Sequence, residues 1–420
     1  MLFEQTTLGN VSKGGKGSYG IAASAVDYSD ELYTYLRITD IKDDGTIDFG
    51  GLKSVNDVKA ANYLLQPNDI VFARTGASTG RNYFYDGSDG QFVYAGFLIK
   101  FSIDPDKVNP KYVKYYCLSQ EYKGWIASYN TGSTRGNINA QTLAQMPLLL
   151  PERMQQDKMV EILSSIDQKI KENEKINKNL EEQASLLFKS WFVDFEPFNE
   201  ALVNTPAGIA TPASLKMLQI ADIPHTLETG KRPKGGAVSE GVPSIGAENV
   251  KKLGEVNFSS AKYIPEDFAS KMKTGAVNGY ELMLYKDGGK PGTFTPYFSM
   301  FGEDFPYKRF FINEHVFKLD FYNHGFNEFA YFYMQTDYPY HWLANNGGKA
   351  AVPGINQQDV NSIWIFSPDN PKVKEFCNWV QPIFTTIFTN CSQNLKLANL
   401  RDSLLPKLMS GKLDLSDIDL

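Results

Sequence analysis

The sequence predicts an α+β chain in which two similar β-rich domains are separated by two long helices paired antiparallel as a coiled coil, a pseudo-twofold tandem repeat. Three observations carry this prediction. Short segments recur in the same order about 210 residues apart, the stretches inside each copy read as aromatic strands broken by turn residues, and each copy closes on a heptad-patterned run with asparagines at its middle.

The first match sets Asn68–Gly80 against Tyr280–Gly292. An acid (Asp69, Glu281), an apolar run, a basic residue (Arg74, Lys286) and two glycines coincide at an offset of 212. Upstream, Ile41, Gly45, Ile47 and Phe49 correspond to Val250, Gly254, Val256 and Phe258 at an offset of 209. Downstream, Gly136–Gln141 corresponds to Pro353–Gln358 at 217, and each is followed by an apolar stretch ending in a proline, Pro151 and Pro368. Ordered matches whose offsets drift by only a few residues describe two copies of one domain. Within the copies, Ile70–Ala73, Phe97–Phe101, Phe317–Phe321 and Trp364–Phe366 are short apolar runs bounded by turn residues and read as strands. Pro110–Ser119 and Asn327–Thr336 read as helices.

After Pro151 the texture changes. Met159, Leu163, Ile166, Ile170, Asn173, Asn177, Leu180, Ala184, Leu187 and Trp191 step by four and three, with Lys and Glu between them. Phe376, Val380, Ile383, Ile387, Asn390, Asn394, Leu397, Arg401, Leu404 and Leu408 repeat that phase at an offset of 217. If the two helices pair antiparallel and end to end, Asn173 faces Asn394 and Asn177 faces Asn390. A buried amide lowers stability but penalises any slip that sets it against leucine, so these four residues would fix register and the spacing of the domains. Arg401 is the poorest seam residue and is expected to mark where pairing gives way to a partner surface.

Composition sets the outer bounds. The 420 residues exceed one ordinary core, and 42% hydrophobic content with 34 glycines and 21 prolines is that of a folded globular chain. No stretch approaches the roughly 20 apolar residues of a membrane span. Met1–Asn10 contains Glu4 and no apolar run, so no signal peptide is expected there. Cys117, Cys377 and Cys391 are an odd count without CxxC spacing, as expected of buried thiols in a reducing cytoplasm. The net charge of −6 argues weakly against nucleic acid, but a basic footprint need only be local, because screening confines each charge to about 8–10 Å.

Motifs for chemistry are missing. No Asn/Asp-Pro-Pro-aromatic tetrapeptide of an amino-methyltransferase occurs, and Gly15-Lys16 and Gly230-Lys231 lack the following Ser/Thr of a phosphate-binding loop. His225, His315, His324 and His341 are dispersed without metal-ligand spacing, so no metal site is expected. Acidic pairs such as Glu266-Asp267 and Glu303-Asp304 have no nuclease partner motif. No catalytic residue is assigned.

Two domains held apart by a rigid helix pair suit a duplex target with two separated half-sites. Asp69-Ile70-Val71-Phe72-Ala73-Arg74 leads into Gly76-Ala77-Ser78-Thr79-Gly80, and Gly132-Ser133-Thr134-Arg135-Gly136-Asn137-Ile138 runs on to Met146–Pro151. The most specific stretch is Leu400-Arg401-Asp402-Ser403-Leu404-Leu405-Pro406-Lys407-Leu408-Met409-Ser410-Gly411-Lys412-Leu413. On these motifs the chain resembles, over essentially its full length, the DNA specificity subunit of type I restriction–modification enzymes. The resemblance implies a first target-recognition domain at 1–150, a central spacer helix at 151–198, a second recognition domain at 199–367 and a C-terminal spacer helix at 368–420. It implies a cytoplasmic, host-defence protein without catalysis of its own, reading an asymmetric bipartite site on double-stranded DNA. Two methyltransferase subunits would bind the helical regions, with restriction/motor subunits in the full complex and no membrane. S-adenosylmethionine, ATP and Mg would belong to those partners, and this chain would bind no cofactor. The start of the first copy is short, and the second lacks the Ser-Thr-Arg before its Gly-Ile-Asn; both departures lie in variable parts and bear on which bases are read.

Candidate DNA contacts follow from glycine-punctuated loops carrying donors. In the first copy these are Lys13, Lys16 and Ser18; Arg74, Thr75, Ser78, Thr79 and Arg81; and Ser133, Thr134 and Arg135. In the second they are Lys231, Arg232, Lys234, Lys286, Lys290, Lys308, Arg309 and Lys349. Each could contact phosphate, and an arginine could instead grip guanine. Matched positions favour Arg74, Lys286, Arg135 and Lys349. Tyr83, Tyr85 and Tyr297 could stack near bases but are better explained by packing. The competing readings are an enzyme with unseen motifs and a protein-binding scaffold; a steep fall of affinity with salt distinguishes DNA binding from the latter.

Overall fold

Both copies fold on the same strand order. The computed structural model describes residues 2–129, 137–258, 261–349, 352–413 and 415, and the chain forms two compact units, 1–168 with 397–420, and 169–396. The unit boundary therefore falls inside each of the two long helices.

Along the first unit run β1 (Glu4–Thr7), β2 (Ser18–Tyr19), β3 (Ala25–Val26), β4 (Tyr33–Leu36), β5 (Lys53–Val55), β6 (Asp69–Ala73), β7 (Asn82–Tyr85), β8 (Phe92–Tyr94) and β9 (Leu98–Ser102). Then come α1 (Pro110–Tyr116), α2 (Gln120–Tyr129), α3 (Ala140–Ala144) and β10 (Pro147–Leu150), before the long α4 (Arg153–Phe192). One antiparallel sheet has the order β2-β9-β6-β7, with β6 buried along its whole length, which is why Ile70-Val71-Phe72-Ala73 reads as an unbroken apolar run. A second sheet, β3-β5-β4-β8, ends in the parallel pair β4·β8, and β1 closes on β10. Helix α1 starts where Pro110 sits in its first turn and the Asn109 side chain accepts from the Lys111 amide.

The second unit carries an added hairpin, β11 (Leu202–Asn204) with β12 (Ala210–Pro212), followed by β13 (Met217–Gln219), β14 (Thr226–Thr229), β15 (Val242–Ile245) and β16 (Lys262–Ile264). After α5 (Glu266–Ala269) come β17 (Leu282–Tyr285), β18 (Phe298–Met300), β19 (Phe311–Ile312) and β20 (Val316–Asp320). The chain continues through α6 (Phe326–Tyr333), α7 (Asp337–Gly347), α8 (Gln357–Asn361), β21 (Trp364–Phe366) and α9 (Pro371–Met409). Its main sheet, β14-β20-β17-β18, repeats β2-β9-β6-β7 strand for strand. The second sheet, β16-β15-β19, repeats β5-β4-β8, again with one antiparallel and one parallel pair. The pair β13·β21 repeats β1·β10.

The repeat reaches single groups. Buried Asp69 lies 3.1 Å from Lys100 on the neighbouring strand, and buried Glu281 lies 3.5 Å from Lys318 at the matching place. A Cβ on Gly20 would meet the Tyr94 and Ala95 carbonyls at 2.3 Å, and one on Gly230 would meet the Ile312 carbonyl at 1.5 Å. In both units only glycine lets the strand end pass so close to its neighbour.

The long helices pair antiparallel within each unit. In the second unit, Asn173 donates to Asn394 Oδ1 at 2.8 Å, and Asn390 donates to Asn177 Oδ1 at 2.8 Å. Spare amide hydrogens reach Gln393 Oε1 at 2.8 Å from Asn173 and the Ile387 carbonyl at 3.3 Å from Asn177. Toward the end of α4 the buried line is Ala184, Phe188 and Phe192 rather than the expected Leu187 and Trp191, which are half-buried. The rings of Phe188 and Phe192 pack on Phe329 of α6 and Phe376 of α9, so a third helix draws the buried face one residue round from the two-helix seam.

Arg401 is a correction to its expected role at a partner surface. In the first unit it bonds Asp167 at 3.1 Å, and the same carboxylate accepts from Lys114 Nζ and the Tyr115 hydroxyl, both at 2.8 Å. The carboxylate thus ties α1, α4 and α9 together. Burial alone would raise its pKa, but Lys114, Tyr115 and Arg401 together hold it below the ordinary carboxylate range. A depressed value means that the stabilisation is full above the unfolded-state pKa of about 4 and is lost as pH falls through the lower folded-state value. Asp167→Asn is expected to cost about 2 kcal/mol at neutral pH. The deficit should vanish at the acid end of the series, which thermal melts of both proteins across pH 2 to 7 would check.

Candidate nucleic-acid interface

In the first unit three segments converge beside the end of β6. The Arg74 amide donates to the Phe97 carbonyl at 3.1 Å, and the Ile138 amide donates to the Arg74 carbonyl at 2.9 Å, which brings the 137–140 segment alongside the turn. Tyr19, at the end of β2, accepts at its hydroxyl from the Ala140 amide at 3.2 Å. Its ring lies under the Arg74 guanidinium, 5.0 Å from the centroid, and Arg74 Nη2 donates to Asn137 Oδ1 at 3.4 Å. Asn139 caps α3 by accepting from the Thr142 amide at 2.8 Å.

The second unit assembles the corresponding segments. The Lys286 amide donates to the His315 carbonyl at 3.0 Å, and the Ile355 amide to the Lys286 carbonyl at 2.8 Å. Asn356 caps α8 as Asn139 caps α3, and Gln357 Nε2 reaches back to the Leu227 carbonyl on β14 at 2.8 Å. Between these segments lies an open cleft of about 730 Å³, lined among others by Thr229, Lys231, Lys286, Asn356, Gln357 and Gln358. Amides, a hydroxyl and the exposed Lys231 ammonium on one concave surface suit base edges and phosphates, whereas the Lys286 ammonium is taken up by Asp287.

The remaining expected contacts divide by what holds them. Lys13 and Lys16 are exposed on the turn beside β2, and the Ser18 hydroxyl bonds that of Tyr94 at 3.0 Å. Thr75 is half-buried beside Arg74; Ser78 is buried, and Thr79 donates to the Gly76 carbonyl at 2.7 Å, so the hydroxyls at 78 and 79 shape the turn. Arg81 is clamped by Asp43, at 2.6 and 3.2 Å. Ser133, Thr134 and Arg135 lie outside the described residues. Lys231, Arg232 and Lys234 are exposed after β14, with Arg232 3.8 Å from Glu314. Lys286 is bonded to Asp287 at 2.7 Å and to the Glu314 carbonyl at 3.1 Å, while His315 holds the other oxygen of Asp287. Lys290 and Lys308 are exposed, Arg309 bonds Glu266 at 2.5 Å, and Lys349 bonds Asn346 at 2.7 Å on an exposed helix end. Tyr83 and Tyr85 are buried and bond Asp89 and the Gly90 carbonyl, in keeping with a packing role, whereas Tyr297 is partly exposed.

Sequence reasoning missed Tyr19, Asn137, Gln357 and Gln358 as members of these surfaces. A signal was present, since the last three lie inside the recurring Gly136–Gln141 and Pro353–Gln358 motifs. Tyr19 carries none, because its approach to Arg74 depends on β2 pairing with β9.

A duplicated reader with one donor-lined surface per unit is the class of a DNA sequence-recognition protein. Comparison with known proteins shows what the chain is similar to. Residues 4–182 match the model of the type I restriction modification DNA specificity domain. The MjaIX type I restriction enzyme specificity subunit of Methanocaldococcus jannaschii is 27% identical over 328 residues, covering 75% of this chain and 72% of that protein. The HindI type I restriction enzyme specificity subunit of Haemophilus influenzae is 22% identical over 428 residues, covering 86% of this chain and 90% of that one. The solved type I restriction–modification S subunit of M. genitalium shares the fold, with a TM-score of 0.55 at 15% identity across 97% of this chain and 96% of its own. The first copy thus matches a type I restriction modification DNA specificity domain, and the chain is similar over most of its length to two type I restriction enzyme specificity subunits. No helix among the described residues is long and apolar enough to cross a membrane.

Proposed function

We propose that the chain reads an asymmetric DNA sequence in two parts, one for each unit, and positions methyltransferase and restriction/motor subunits upon it in the cytoplasm. The observation that carries this reading is the repetition of one surface, built from the same three segments on the same sheet order, in both units. A single reader needs no second copy; a bipartite target does. The asparagine layer in α4 and α9 gives the helix pair one favoured register, which suits a spacer of set length. Two methyltransferase subunits would dock on the helical regions. S-adenosylmethionine would be bound by them, and ATP and Mg by the motor-nuclease subunit, leaving this chain to supply sequence recognition alone.

The test is a genome-wide map of modified adenines in cells with and without the gene. The expected result is loss of one motif made of two short blocks around unspecified bases. Replacing residues 1–150 with the matching domain of another specificity subunit should then change one block and leave the other. A change in both blocks would sink the modular reading.

A further inference from the structure

We propose that Arg74 reads a guanine in the half-site bound by the first unit, and that Lys286, at the matching place in the second unit, reads none. The inference rests on the specificity reading above and assigns chemistry within it. Arg74 stands apart from the other arginines. Each of the other six described arginines lies within 3.8 Å of a carboxylate, from the Arg401–Asp167 bridge to the exposed Arg232–Glu314 pair. Among the described residues Arg74 has no acidic partner. It is held instead by two neutral groups, the Tyr19 ring at 5.0 Å and Asn137 Oδ1 at 3.4 Å.

That environment matches what a base-reading arginine requires. Its full charge remains available, whereas the bidentate grip of Asp43 on Arg81 already satisfies the fork that a guanine would use. The ring face and the amide restrict the guanidinium plane, so less side-chain freedom is lost when it docks. Asn137 engages one Nη2 hydrogen, and Nε is buried without a partner among the described residues, which leaves the Nη1 donors and the second Nη2 donor for O6 and N7 of guanine. Lys286 has neither property. Its ammonium is bonded to Asp287 at 2.7 Å and to the Glu314 carbonyl at 3.1 Å, so the charge is neutralised locally, and an ammonium has no planar fork.

The test is selection of binding sequences by the full chain from randomised duplexes, comparing wild type with Arg74→Ala, Arg74→Lys and Lys286→Ala. Wild type should select two blocks. Both Arg74 variants should lose preference for one guanine in one block, by roughly 5- to 150-fold, with the other block intact. Arg74→Lys keeps the charge and a similar stem, so it separates loss of the fork from misfolding: its binding to unrelated DNA should stay near that of wild type. Lys286→Ala should leave the selected sequence unchanged. An unaltered sequence with uniformly weaker binding by the Arg74 variants would make Arg74 a phosphate contact and overturn the proposal. Loss of a guanine in Lys286→Ala would overturn the asymmetry. Failure of wild type to select any sequence would overturn the specificity reading itself, an outcome distinct from both.

Discussion

Lys318→Met is expected to be among the most destabilising single substitutions in the second unit, costing about 3–5 kcal/mol. The Lys318 ammonium is 3.1 Å from Glu228 and 3.5 Å from Glu281, and it also donates to the Ala276 carbonyl at 2.5 Å. Glu281 is 2% exposed and is fixed by the amides of Asn278 and Gly279 at 2.9 and 2.7 Å, so it cannot swing to water when its cation is removed. Methionine fills the stem's volume but removes the charge and the bond to Ala276, leaving two carboxylates against one another in a poorly solvated place. Pairing Lys318→Met with Glu281→Gln should recover part of the loss, because the amide removes one of the two uncompensated charges. Calorimetric melts would check both variants. An unfolding transition unmoved by Lys318→Met would mean that water already solvates the site.

The same pair, Asp69 with Lys100, occupies the first unit, and its persistence shows which kind of information the sequence holds in the open. The acid is legible at 69 and 281 because it opens a short motif whose apolar run forms a central strand in both units. Its lysine is not, because Lys100 and Lys318 sit on the adjacent strand, and strand pairing is a long-range property. The helix register is legible for the opposite reason: a heptad pattern carries its own phase, so the facing positions can be counted once the direction of pairing is assumed. Where a third element intrudes, counting fails. Phe188 and Phe192 displace Leu187 and Trp191 because α6 adds its own rings to that side of α4.

The basic candidates show the same division. Loop composition brings Arg74 and Arg81 forward together, and nothing local tells them apart. Asp43 reaches Arg81 from 38 residues upstream, and Tyr19 reaches Arg74 from β2; one contact neutralises a guanidinium and the other orients it. Lys286 looks like the counterpart of Arg74 until Asp287 and His315 are seen to share its surroundings. Partner identity, and with it the charge that remains for DNA, is set by tertiary neighbours.

Inserting seven residues into α4 and α9 together, at matched positions beside the asparagine layer, is expected to lengthen the gap between the two recognised blocks. Seven residues keep the heptad phase and add about 10 Å of helix, close to the rise of about three base pairs. Rise and rotation do not match equally well. Two helical turns return the inserted segment nearly to its starting direction, about 20° short, whereas three base pairs turn the duplex by about 100°. The lengthened protein should therefore select the longer gap at reduced affinity, the shortfall reflecting twist in the DNA or the helices. An insertion in one helix alone should do more damage, because it sets the amides of Asn173 and Asn177 against apolar side chains instead of Asn394 and Asn390. Selection from duplex pools that hold both blocks fixed and vary only the number of bases between them would measure the gap directly. A gap unchanged by the double insertion would mean that something other than the helix pair sets the spacing.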